Sequence, residues 1–146
     1  MVAYMTLKAY YRRDLALAQL ETALSLYVER KDLSSVITLA GAADEVFGKM
    51  LYDAGDESSL NSLKKAVAAI HMHLYGEPGD PIQIANRANL AKNSLKHWDQ
   101  GDSEIIKLDL NVEACDMLNR AIDNYWNLEQ KLSPAMEAFQ RTNLVV

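Results

Sequence analysis

Apolar residues recur every three or four positions along most of this chain, the spacing that gathers side chains onto one face of a helix. In residues 14–32, DLALAQLETALSLYVERKD, the set is Leu17, Leu20, Leu24, Tyr27 and Val28. Asp32 and Ser34 can start a second helix, with Val36, Ala40, Ala43, Phe47 and Met50 on its apolar face and Gly55 marking its end. Ser58 and Ser59 restart the chain, and Leu60, Leu63, Val67, Ile70 and Leu74 form a third stripe. YGEPGDP, at 75–81, reads as a loop in which Asp80 is an N-cap and Pro81 takes the first helical position. A fourth helix follows, with Ile84, Ala88, Ala91, Leu95 and Trp98 inward.

The pattern changes after the turn DQGD at 99–102. SEIIKLDL, residues 103–110, alternates Ile106, Leu108 and Leu110, which predicts an extended arm. A single strand cannot make a sheet, so the arm should pack on helices. Asn111 opens a fifth helix with Ala114, Leu118, Ala121, Tyr125 and Leu128 inward, and Ser133-Pro134 starts a short last one through Phe139. The fold class expected is all-α: an up-and-down bundle of about five helices, with a short extended arm before the last long helix, in a single domain covering 1–146. Leu24, Phe47, Ile70, Leu95 and Tyr125, one from each long helix, are expected in the core.

Composition agrees with an ordinary globular domain: 146 residues, 49% hydrophobic and 24% charged. The net charge of −5 argues against a surface coated for nucleic acid or anionic membrane, while leaving room for a local basic patch. Cys115 is the one cysteine, so no disulfide can form within the chain, and a reducing cytoplasm is the expected location. Lys8, Arg12, Arg13 and Asp14 interrupt the N-terminal segment where a signal peptide would need an apolar run. No uncharged stretch reaches the length of a membrane span, so a soluble protein with no membrane partner is expected.

Several catalytic patterns can be set aside. GAADEVFGKM, residues 41–50, approaches a phosphate-binding loop, but six residues separate Gly41 from Gly48 where four are required, and Met50 replaces the hydroxyl residue. The two glycines instead share a helix face that another element can approach closely. His71 and His73 are two apart, about 200° around a helix, and cannot chelate one metal together. Cys115 has no neighbouring Cys or His and reads as packing. Neither a metal nor another cofactor is expected.

The fourth helix carries the one unusual feature. From Ile82 to Trp98 there is no acidic residue, while Arg87, Lys92 and Lys96 add three positive charges. On a helical projection Asn86, Asn89, Asn93 and His97 gather opposite the apolar set, and the last three are four apart. Asn is a poor helix former, so such a stripe asks for a hydrogen-bonding partner. Two readings stand: a polar contact with another helix or a dimer mate, or a phosphate-facing groove containing an imidazole.

KNSLKH, residues 92–97, resembles the signature of HEPN-domain proteins, an Arg followed by a polar residue and, after four to six intervening residues, a His. Lys92 takes the Arg place, Asn93 the polar place and His97 the His place. Residues 19–51 resemble the first helical hairpin of such domains, and 112–126 the helix that closes their bundle. The resemblance implies metal-independent RNA cleavage at a groove between two paired subunits. His97 would be the general base on a ribose 2′-hydroxyl, with Lys92 and Asn93 stabilising charge on the phosphate. Arg87, Asn89, Lys96 and Asn86 would bind RNA or nucleotide. It also implies partners, since HEPN relatives form homodimers and some work beside a small nucleotidyltransferase or another protein. Many bind RNA, nucleotides or proteins without cleaving anything. Lys92 is a departure, because an ammonium cannot give the two-pronged grip of a guanidinium. The alternative function is therefore a non-catalytic helical module whose Asn/His stripe is an interface.

Overall fold

A computed structural model describes residues 6–143 of the chain. Seven helices follow one another among these residues, with no strand: α1 (Arg12–Val28), α2 (Leu33–Asp53), α3 (Ser59–Tyr75), α4 (Pro81–Ala88), α5 (Leu90–Lys96), α6 (Leu110–Glu129) and α7 (Pro134–Asn143). The architecture is all-α, with more helices than the periodicity predicts. The starts of α2, α3 and α4 follow the sequence signals, while α6 begins one residue before the expected Asn111 and takes Leu110 from the arm. Asp32 accepts from the backbone N–H groups of Ser34 and Ser35, Ser58 from Asn61, Asp80 from Ile82 and Asp109 from Val112, each satisfying a donor that a helix start leaves free. Gly76, at φ 76°, ends α3 in the left-handed conformation that glycine adopts without penalty.

α2 is the central element, packed against α1 on one side and α6 on the other, with α7 closing on α1 and α5 lying across α2. The core joins Leu20 and Leu24 of α1, Val36, Ile37 and Phe47 of α2, Leu118, Ile122 and Tyr125 of α6, and Phe139 of α7. Phe47 and Tyr125 meet with ring centroids 5.5 Å apart. Leu24, Phe47 and Tyr125 are buried as expected, and Leu95 is half-buried against the same cluster.

Ile70 is a correction: it is 59% exposed. α3 has no buried residue at all. Ser59 at its start is tied to α6, where its N–H donates to Asn124 Oδ1 at 2.7 Å. The distal apolar positions Ile70 and Leu74 then lie in solvent, because the short helix α4, which packs on α3, does not cover them. Val28 and Trp98 are likewise exposed rather than inward.

The expected fourth helix is two. α4 and α5 break at Asn89 (φ −102°, ψ 4°), and His97 already has extended backbone (φ −125°, ψ 144°) past the end of α5. Arg120 of α6 stands at the break, donating from Nη1 to the Ala88 carbonyl at 2.9 Å and from Nη2 to Asn89 Oδ1 at 2.9 Å. The extended arm is irregular backbone. Leu108 packs on the core, as an arm lying on the bundle requires, while Ile105 and Ile106 remain exposed.

Candidate functional site

Charged and amide side chains penetrate the bundle where α2, α6 and the α4–α5 break converge. Asp44 lies on the apolar face of α2, between Ala40 and Phe47, and is buried. Arg120 and Asn124, one turn apart on the inner face of α6, reach it together. Arg120 Nη2 donates to Asp44 Oδ2 at 2.8 Å, and Asn124 Nδ2 donates to Asp44 Oδ1 at 3.0 Å. Burial pushes the Asp44 carboxyl up from its ordinary value, and the neighbouring charges of Arg120 and Lys92 pull against that shift. The guanidinium spends two of its nitrogens on Asp44, Asn89 and the Ala88 carbonyl; its Nε is buried with no partner among the described residues.

The glycines of α2 make room for this assembly. A Cβ at Gly41 would stand 2.6 Å from Lys92 Cδ and 2.7 Å from its Cγ, so the lysine stem lies directly on the α2 backbone. A Cβ at Gly48 would meet Asn124 Nδ2 and Ser58 Cβ, each at 3.4 Å. The shared face expected of Gly41 and Gly48 is a close-approach surface, and what approaches is polar.

Lys92 passes over Gly41 and ends 3.6 Å from Glu45 Oε2. Its side chain is only 7% exposed, and burial lowers the ammonium pKa. Its Nζ donates no hydrogen bond within 3.5 Å among the described residues. Glu45 is shared among three lysines, since Lys49 donates to Oε1 at 3.0 Å and Lys96 to Oε2 at 3.4 Å. The Lys49 hydrogen bond, with the charges of Lys92 and Lys96, holds the Glu45 carboxyl down at about 2. Asp44, Glu45, Asn89, Lys92, Arg120 and Asn124 all line one cavity of 560 Å³ between α2, the start of α3 and α5.

The residues singled out in the sequence divide. Lys92 and Asn89 turn into this cavity. Asn86, Arg87, Asn93, Lys96 and His97 are exposed, and none of these five lines it. The Asn89–Asn93–His97 stripe is interrupted, because Asn89 turns inward to Arg120 and His97 lies beyond the helix end. Asp44, Glu45, Arg120 and Asn124 are the members that periodicity passes over. Their signal is an acid placed on the apolar face of α2, and an Arg and an Asn four apart on the apolar face of α6.

Cys115 packs partly buried at the α1–α6 contact, its Sγ 2.8 Å from Tyr27 Oη. That hydrogen bond, with burial, pushes the Tyr27 phenol up to about 12. His71 Nδ1 bonds the Glu77 carbonyl at 2.7 Å and its ring stacks near Tyr75, closing the α3–α4 loop. Among the described residues no helix is long and apolar enough to cross a membrane. No family model matches the chain, and neither curated proteins nor solved structures give a match.

Proposed function

We propose that the chain is a HEPN-like helical interaction module that forms a homodimer and binds its partners without cleaving RNA. One observation carries this reading: the cation and the imidazole of the 92–97 motif are not delivered to a common space. Lys92 is 5% exposed and turned inward toward Glu45 at 3.6 Å, whereas His97 stands in solvent past the end of α5. A general base and a phosphate-stabilising cation must both reach the reacting group, within about 3 Å of it. Burying the cation turns the motif into architecture: its stem fills the space over Gly41, and its charge anchors α5 to α2.

The remaining exposed residues, Asn86, Arg87, Asn93, Lys96 and His97, supply hydrogen-bond donors and positive charge on the outer side of α4 and α5. The amides suit a two-fold contact, and the positive charge suits an acidic partner surface. A second reading, a ribonuclease whose groove is completed by a paired subunit, draws support from the His97 ring, which is exposed and makes no hydrogen bond among the described residues.

Light scattering combined with RNA digestion in EDTA separates the two. The module reading expects a dimer at tens of micromolar (about the range where specific homodimers persist), weakened by Asn93→Lys with His97→Lys, which add like charge to a patch facing its own copy, and no RNA cleavage. A monomer would overturn the pairing. Cleavage leaving 2′,3′-cyclic phosphate ends, abolished by His97→Ala, would replace the module reading with the enzyme.

A further inference from the structure

The 560 Å³ cavity has a size that suits a small organic ligand, within the roughly 300–1,000 Å³ such sites occupy. Its lining is balanced in charge, four acidic and four basic side chains, which favours a ligand that is neutral overall. The charges are not evenly spread. At one end Glu45 and Asp44 face Lys49, Lys92 and Arg120, a local surplus of one positive charge. Lys92 is the group with unspent capacity there: an ammonium, nine-tenths buried, with three donors, no hydrogen bond among the described residues, and Glu45 only at 3.6 Å. A buried charge left so poorly paired is costly unless something else accepts from it.

The opposite end is acidic. Asp53 and Asp56, at and just past the C-terminus of α2, line the same cavity and outnumber Lys64 of α3, the one remaining basic lining residue; neither aspartate forms an ion pair among the described residues. The carbonyl end of the helix adds partial negative charge beside them. Glu45 and Asp53 are eight residues apart on α2, about 12 Å along its axis. An extended ligand of one or two residues, at about 3.3–3.6 Å each, meets both ends only where the lining side chains span the remainder.

We propose that this cavity binds a small zwitterion of amino-acid to dipeptide length, its carboxylate on Lys92 Nζ and its ammonium between Asp53 and Asp56. A dianionic phosphate fits less well, because at Lys92 it would sit beside the carboxylates of Glu45 and Asp44. A single carboxylate takes the free donors without adding a second charge. This site is independent of the dimer proposed above, and its test does not depend on oligomeric state.

The test is titration of the full chain, followed by the side-chain amide signals of Asn61, Asn89 and Asn124 in nitrogen-15 NMR. The probes are free L-amino acids, glycylglycine, acetate, methylammonium and inorganic phosphate. Saturable shifts with an amino acid or glycylglycine, and much weaker ones with acetate or methylammonium, are expected. Lys92→Met keeps the stem over Gly41 and should weaken binding at least about tenfold, the loss of a charge-assisted hydrogen bond. Asp53→Asn with Asp56→Asn changes only exposed groups, and should weaken zwitterion binding while leaving acetate unaffected. If Lys92→Met does not fold, this second variant decides. No saturation with any zwitterion, tighter binding of phosphate, or undiminished zwitterion binding in the Asp53/Asp56 variant would overturn the proposal.

Discussion

Removing Arg120 tests whether the polar assembly holds the α4–α5 segment onto the bundle. Arg120→Met keeps most of the stem and deletes three hydrogen bonds, to the Ala88 carbonyl, Asn89 Oδ1 and Asp44 Oδ2. It leaves Asp44, 4% exposed, with Asn124 as its remaining hydrogen-bond donor among the described side chains. Breaking a buried pair from one side costs about 3–5 kcal/mol, chiefly through the charge left behind. For a chain near 150 residues each kcal/mol moves Tm by about 2–4 °C, so the midpoint should fall by roughly 10 °C. The deficit has a pH signature. Burial already pushes the Asp44 pKa up, and losing Arg120 pushes it further. The penalty for a buried carboxylate is therefore full near neutrality and disappears below the carboxyl's unfolded pKa of about 3.9, where folded and unfolded chains are both protonated. Asp44→Leu combined with Arg120→Met should recover most of the loss, because an apolar replacement of the whole pair leaves no orphaned charge. Urea unfolding followed by circular dichroism gives the cycle, and hydrogen exchange at residues 88–93 shows whether the break region loosens first. A loss below about 1 kcal/mol, the range of exposed pairs, or no recovery in the double variant, would refute the reasoning.

Three further outcomes follow from the same contacts. Gly41→Ala places a Cβ within 2.7 Å of two Lys92 stem atoms, so it should destabilise by about 1–3 kcal/mol despite the gain in helix propensity, and Lys92→Ala in the same chain should relieve the clash. Glu45 titrates at about 2 instead of near 4.5, so its contribution is present above the ordinary value and lost as pH falls toward 2. The Tm gap between wild type and Glu45→Gln should shrink over that interval, and added salt should shrink it too, because Glu45 is 38% exposed. Leu24→Ala, at 1% exposure, should cost about 2–5 kcal/mol in denaturant unfolding, while Ile70→Ala, at 59%, should cost less than about half a kcal/mol.

Periodicity carries most of the helix assignment, because amphipathic spacing and capping are local. Asp32, Ser58 and Asp80 cap where their positions predict, and the apolar faces of α1, α2 and α6 become the core. The same signal says nothing of what a face packs against. The α3 stripe is as regular as the α2 stripe, yet α2 lies between the long helices α1 and α6 while α3 packs mainly on the two-turn helix α4 and on α6, and Ile70 is left exposed. The break at Asn89 was invisible for a related reason. Neither a glycine nor a proline marks it, and the side chain that binds the freed groups there is Arg120, thirty-one residues away.

The division of the basic segment follows from that break. In one continuous helix Asn89, Asn93 and His97 would share a face and Lys92 would lie beside it. With α5 starting anew after Asn89, the stem of Lys92 falls across Gly41, where the absence of a side chain lets it reach Glu45. Gly41 and Lys92, fifty-one residues apart, are therefore one feature read from two places. The glycine that looked like a fragment of a phosphate loop, and the lysine that looked like a weakened phosphate ligand, explain each other sterically. The packing that withdraws Lys92 from the outer face thus places a buried cation on the wall of a cavity that Asp53 and Asp56 also line.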